Sequence, residues 1–211
     1  MTRRSGLRRT QAERTASTRA ALLDAAVGCL ADLGYAGTTT TEVARRAGVS
    51  RGAQLHHFPS KIDLLVGATA HLLDRRLTEF RKAFADAPAG MDKLDTAIDV
   101  MWSMYSGATF ISGLELQVAA RTDAALRPFV IGQQQRFVEE AAAIFGELFG
   151  DSLAADPAQG RVNLAFTFAL MDGVALADLL GEQPFAAPDD VIDALKIVAH
   201  LILPPTPEET P

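Results

Sequence analysis

Apolar residues return every three or four positions along most of this chain, and no run alternates long enough to make a half-buried strand. That periodicity predicts helices throughout the region after Pro88. Within Met91 to Ser106, Leu94, Ile98, Met101, Trp102 and Tyr105 share one helical face, and Gly113 to Arg121 gives a shorter helix. Asp123 can cap a long helix that runs to Phe149, with Pro128 near its first turns and Gly150 closing it. Pro157 and Pro184 bracket the next helix, and Pro188 and Pro204 the last. Residues Val162 to Leu180 form an apolar stretch interrupted by Asn163, Asp172 and Asp178, which predicts a buried helix covered on more than one side rather than a membrane span. The last helix offers Val191, Ile192, Leu195, Val198, Ala199 and Ile202 as a partner face. The fold class is all-α, with about nine helices.

The punctuation between Thr39 and Leu65 is denser. Thr39 and Glu42 have the spacing of a capping box, in which a threonine hydroxyl and a glutamate satisfy orphan amides at a helix start. A helix therefore opens near Thr40. Val43, Ala44 and Ala47 lie on one face, and Gly48 can take the left-handed conformation that ends a helix without a side-chain clash. Ser50 can cap a second helix, Arg51 to His57, which Pro59 stops. On it Arg51, Gln54, His56 and His57 are expected to face outward, with Ala53 and Phe58 turned to the hydrophobic side. Ser60 and Asp63 repeat the cap logic for a helix carrying Ile62, Leu64 and Leu65.

Two short helices joined by a glycine turn form the unit that sets its second helix into the major groove, where the four base pairs are distinguishable. Gly52 and Ala53 are short enough for close approach to a duplex. Arg51 and Gln54 are the candidates for base edges, since arginine suits guanine and glutamine suits adenine in bidentate geometry. Thr40, Thr41, Ser50, His57 and Lys61 sit at helix ends where hydroxyls, amides and cations meet phosphate. The competing reading of the hydroxyls is that they only cap, and of the histidines that they only pack.

The run from Thr18 to Leu73, TRAALLDAAVGCLADLGYAGTTTTEVARRAGVSRGAQLHHFPSKIDLLVGATAHLL, resembles the N-terminal domain of the tetracycline-repressor (TetR) family of bacterial transcriptional regulators. The likeness lies in an amphipathic first helix, a Gly-Tyr-x-x-Thr-Thr stretch, Ala-x-x-Ala-Gly-Val-Ser, and an aromatic-proline-Ser-Lys junction into a long fourth helix. Ala53 departs from the family's frequent threonine, and Leu55 from a frequent tyrosine that touches the DNA backbone. The resemblance carries His56 and His57 over as DNA contacts.

The same resemblance implies a homodimer paired through its last two helices, reading a palindromic operator on double-stranded DNA. Its half-sites would lie about 34 to 36 Å apart, or a multiple of that. It also implies a small, largely apolar or aromatic effector, held in a pocket by Met101, Trp102, Tyr105, Phe110, Glu115, Phe137, Phe166 and Met171. Core filling is the plain alternative for such aromatics and methionines. Repression relieved by the effector is the family's usual mode; an activator, or a DNA-binding protein without an inducer, is the other reading.

Charge changes the picture locally. The chain carries a net charge of −6, yet residues 1 to 61 hold ten Lys/Arg against four acids, so the cations gather where the motif lies. Met1 to Ala16, with Arg3, Arg4, Arg8 and Arg9, reads as a disordered basic arm, and reach along DNA, a solvated tail and a transit peptide all remain open for it. The expected division is this arm, a helix-turn-helix domain over 17–64, a ligand-binding and dimerisation domain over 65–203, and a disordered Pro-rich tail over 204–211. Cys29 sits in the apolar pattern of the first helix and is expected to be a buried structural thiol. No secretory signal opens the chain. His56, His57, His71 and His200 form no metal-ligand spacing, and phosphate loops and nucleophile elbows are missing, so neither enzyme, metal nor cofactor is expected. The expected compartment is the bacterial cytoplasm, with no membrane partner.

Overall fold

The computed structural model describes residues 10–85, 92–105, 107–149, 157–179, 181 and 186–202. Among them are nine helices and no strand: α1 (Gln11–Gly37), α2 (Thr40–Arg46), α3 (Arg51–His57), α4 (Lys61–Ala85), α5 (Lys93–Ser103), α6 (Gly107–Ala120), α7 (Arg127–Phe149), α8 (Pro157–Asp178) and α9 (Pro188–Ile202). The bounds of α2 and α3 are those the caps predict.

Helix α1 starts earlier than its pattern suggests. Thr10 and Glu13 form a complete capping box, the glutamate accepting from the Thr10 amide at 2.7 Å and the threonine hydroxyl from the Glu13 amide at 3.2 Å. The boundary expected at residue 16 therefore moves to Thr10. The arginines of the expected arm at positions 3, 4, 8 and 9, the tail after residue 203, Gly150 and Pro184 lie outside the described residues. Helix α6 likewise begins at Gly107 rather than Gly113, because Phe110 is buried and its ring packs 5.5 Å from that of Tyr105, extending the helix by nearly two turns.

The chain packs as two units. One comprises the described residues up to Leu72 together with Ile111–Val130; the other comprises Leu73–Phe110 and the described residues from Ile131 onward. The division expected at 64/65 thus falls later, since Leu65, Ala68 and Leu72 of α4 belong to the first unit's core.

In the first unit, Leu22, Leu23, Ala26 and Cys29 of α1 pack with Val43 of α2, Phe58, and Leu64 and Ala68 of α4. Gly67 marks a close approach, as a Cβ there would lie 2.9 Å from the Phe58 ring and 3.0 Å from Leu23. Cys29 is fully buried, and burial pushes its thiol pKa up, as suits a structural residue. Leu30 and Leu65 add Leu116, Ala120, Leu126 and Val130. Asp123 caps the turn that leads into α7, its carboxylate accepting from the amides of Ala125 and Leu126 at 3.0 Å each.

In the second unit, Leu77 and Phe80 of α4, Ile98 and Met101 of α5, Ile144 and Phe145 of α7, and Met171 of α8 form the core, closed by Ile192 and Leu195 of α9. A polar seam fixes α9 against α5: Lys196 pairs with Asp99 at 2.7 Å, and His200 with Asp95 at 3.0 Å. Leu195, expected on a partner face, is 3% exposed and belongs to this core. The most exposed apolar residues of α9 are Ile197 and Leu201, at 66% and 80% exposure, with Val198 and Ile202 of the expected partner face exposed beside them, and α8 likewise exposes Val162, Phe166 and Leu176. Within one chain α8 is therefore covered on a single side, that of Leu164, Met171 and Ala175.

By length and composition, α1 is the one described helix able to cross a membrane. Of its apolar positions, Leu22, Leu23, Ala26, Val27 and Cys29 are buried in the first unit's core.

Candidate nucleic-acid interface

Local chemistry builds the turn between α2 and α3. The Thr39 hydroxyl accepts from the Glu42 amide at 3.1 Å, opening α2. The return half of the expected capping box is absent from the bonds Glu42 makes, because its carboxylate takes Arg45 at 2.7 and 2.8 Å and Arg46 at 3.0 Å. Those two guanidinium contacts hold the Glu42 pKa down, from 4.5 to about 2. Arg46 continues to Asp32 of α1 at 2.5 Å, so α2 is pinned to α1. Gly48, at φ 64°, makes the left-handed step that ends α2, and the Ser50 hydroxyl accepts from the Ala53 amide at 3.2 Å to open α3.

The outward side of α3 carries Arg51, Gly52, Leu55 and His56, with Ala53 and His57 half-buried at its flanks. Leu55 is 45% exposed. Thr41 and Ser50 are exposed nearby, and Thr40 is half-buried. The His56 and His57 rings meet edge-on at 5.6 Å. A short ridge of one cation, one glycine, one aliphatic residue and imidazole nitrogens is thus presented to solvent.

Two of the expected contacts are corrected. Gln54 is fully buried: it lies one turn before Phe58 on the inward face, and its Nε2 donates to the Phe58 carbonyl at 2.7 Å, closing α3 from below. Lys61 is turned inward as well, its ammonium donating to the Tyr35 carbonyl at 2.6 Å and lying 4.1 Å from the centre of the Tyr35 ring. Burial lowers the Lys61 pKa. Gly34, at φ 68° and ψ 178°, breaks α1 just before Tyr35 and aims that residue inward. The Tyr35 amide donates to Glu115 at 2.9 Å and its hydroxyl to Asp123 at 2.6 Å; burial and that carboxylate push its pKa up to about 12.

Glu115 is therefore a structural acceptor in the first unit, and its expected place in a ligand pocket is corrected. The other pocket candidates divide. The second unit holds a cavity of about 510 Å³ among α5, α7, α8 and α9, with Leu94, Ile98, Phe145, Leu164 and Leu195 in its walls. Met101 and Phe166 line it, whereas Phe137 lines a smaller neighbouring cavity that Met101 also borders. Trp102, Tyr105 and Phe110 form a separate ring stack, Trp102 standing 6.0 Å from Tyr105, and Met171 is fully buried core. Leu94 and Ile98 were visible in the same helical stripe as Met101; Arg161, Asn163 and Thr167, the polar residues at the cavity, gave no periodic signal. The fold also brings one carboxylate oxygen each of Asp92 and Asp95 and a ring nitrogen of His200 within 4.8 Å of one another, across a separation no short motif can show.

The sequence profile of the bacterial regulatory proteins of the tetR family matches residues 22–68. The HTH-type transcriptional regulator CymR of Pseudomonas putida is 39% identical over 162 residues, covering 75% of this chain and 79% of that protein. Among solved structures, a TetR family transcription regulator from Marinobacter aquaeolei VT8 superposes with a TM-score of 0.65 at 18% identity, covering 92% of this chain and 98% of the other. The regulator FadR from Bacillus subtilis, solved in complex with stearoyl-CoA, superposes with a TM-score of 0.63 at 17% identity, covering 88% and 97%.

Proposed function

The chain belongs to the TetR family of bacterial regulatory proteins, DNA-binding transcriptional regulators and not enzymes, and from that premise we propose that it is a repressor released from a palindromic operator by a small, largely apolar effector. The observation that carries the reading is the ridge on α3. Arg51 reads a base edge, and Gly52, Ala53, Leu55 and His56 make the close approach. Thr40, Thr41, Ser50 and His57 meet phosphate around it. One such ridge buries little surface, so two are needed, and a two-fold dimer presents them to an inverted repeat.

The exposed apolar side chains of α8 and α9 support pairing of the last two helices with their copies: Val162, Phe166, Leu176, Ile197 and Leu201 are 47 to 80% exposed, as an interaction face would be in a single chain. The cavity of about 510 Å³ is of a size to enclose a drug-sized molecule, and its walls are mainly apolar. To release DNA through coupling alone, the effector must favour the DNA-incompetent state by a few kcal/mol. The protein acts in the bacterial cytoplasm, where its operator is.

Selection of bound fragments from random duplex DNA at moderate ionic strength tests the reading. Enrichment of an inverted repeat, lost in Arg51→Ala, is expected; no preference over random fragments would remove it. A compound that raises the melting temperature and also releases the selected DNA separates an effector-gated regulator from a constitutive binder.

A further inference from the structure

A guanidinium withdrawn from water is stable only where acceptors and opposite charge meet its donors. Arg76 of α4, half-buried and bordered on one side by an open cavity of about 180 Å³, lacks part of that company. Its Nη2 donates to the Met104 carbonyl at 2.6 Å, but its Nε is buried without a partner. The charged groups that face it are Glu79 and Asp172, with the Tyr105 hydroxyl. Both carboxylates are engaged elsewhere, Glu79 with Arg75 at 2.9 Å and Asp172 with the Tyr105 hydroxyl.

Arg76 borders a cavity of about 20 Å³ walled by Phe80, Met101, Phe137, Phe145 and Phe168, room for about one water. Met101 and Phe145 also line the cavity of about 510 Å³. One layer of side chains thus separates a large apolar chamber from a cation short of an acceptor. Phe145 is held in a ring series, 6.2 Å from Phe80 and 5.4 Å from Phe149, whereas Met101 is unbranched and can change rotamer.

Resting on the reading that this chamber takes the effector, we propose that the effector is an amphipathic organic anion, its apolar body in the large cavity and its carboxylate-type head reaching past Met101 to accept from Arg76. The head supplies an acceptor and a counter-charge together, which a neutral group of the same shape does not. Asp172 is the competitor for Arg76. Burial already raises its pKa, against the opposing pull of Tyr105 and Arg76, so it yields its charge more readily than an exposed aspartate when a second anion arrives.

Two matched pairs serve as probes: decanoate with decanamide, and 2-naphthoate with 2-naphthamide, titrated calorimetrically into the whole protein. Trp102, the chain's single tryptophan, stacks on Tyr105 and provides a second readout for the decanoyl pair through its fluorescence. Each acid is expected to bind about tenfold more tightly than its amide, a typical margin for a charge-assisted bond. The ratio should fall to near one in Arg76→Gln, return in part in Arg76→Lys, and rise in Asp172→Asn. Equal binding of acid and amide to the unaltered protein overturns the anion and leaves the chamber standing. A ratio that survives in a normally melting Arg76→Gln protein overturns it too. Should Arg76→Gln fail to fold, Asp172→Asn decides, and an unchanged ratio there counts against the proposal. If neither member of either pair binds, the chamber reading falls together with the anion.

Discussion

The Lys61 ammonium donates to the Tyr35 carbonyl at 2.6 Å while standing 4.1 Å from the centre of the same residue's ring. The first residue of α4 is thereby tied to the broken end of α1, at a point which Glu115 and Asp123 also grip. A cation at the mouth of a DNA-binding unit is easily read as a phosphate contact; this one is a clamp. Lys61→Met is expected to lose about 1 to 2 kcal/mol of stability, from one hydrogen bond and one cation–π contact. It should leave the slope of log affinity against log salt nearly unchanged. Denaturant unfolding and salt-dependent DNA titration check both, and a slope smaller by about one would return Lys61 to the phosphate backbone.

Arg51 and Gln54 should part company. Arg51→Ala is expected to weaken operator binding by about 1 to 3 kcal/mol with an unchanged melting curve. Gln54→Ala removes the buried amide that closes α3 on the Phe58 carbonyl, so it should lower stability by about 1 to 3 kcal/mol. The two variants need only be compared by melting and by DNA titration under conditions where both are folded. A stable Gln54→Ala protein that has lost a single base preference would mean that the glutamine swings out to read it.

Leu176 and Leu195 give a similar contrast in the second unit, since they are 53% and 3% exposed. Leu176→Glu is expected to produce a folded monomer with weak operator binding. Leu195→Glu puts a charge among Ile192, Ile98 and the other core residues, which should cost several kcal/mol and unfold the unit. Sedimentation together with far-ultraviolet circular dichroism distinguishes them. A dimeric Leu176→Glu protein would move the interface elsewhere.

Acid should loosen the helix-turn-helix through Glu42. Its pKa is lowered from 4.5 to about 2, so the folded state prefers the ionised carboxylate more strongly than the unfolded chain does. The resulting stabilisation is whole above pH 4.5 and disappears as the pH falls toward 2. Other carboxylates titrate in the same range, so the informative quantity is the difference between the unaltered protein and Glu42→Gln. That difference should shrink to its neutral-form remainder across this window; a gap independent of pH would show that Glu42 acts as a hydrogen-bond acceptor without regard to charge.

Signals confined to a turn or two of chain were legible in the sequence. The caps at Thr39, Ser50 and Ser60, the left-handed Gly48, and Pro157 and Pro188 at the starts of the last two helices are signals within a few residues of chain, and the helices begin where they stand. The Thr10 box obeys the same rule: its Thr-x-x-Glu spacing follows directly on the arginine-rich start and opens α1 there. The family followed from the same local signals, because its motif is a string of caps, a turn and a junction.

What tertiary structure alone decided is which side of each helix faces inward. Gln54 and Lys61 are polar, and a periodic pattern assigns polar residues to water; Phe58 and the Tyr35 carbonyl, brought close by packing, offered each a partner that offsets the loss of hydration. Glu115 was drawn from a candidate pocket to the Tyr35 amide, 80 positions away, in the same manner. Helical periodicity records how many faces are apolar but not which neighbour covers them, so Leu195, on the stripe expected to meet a partner, is 3% exposed within its own unit, whereas Leu201, off that stripe, is 80% exposed.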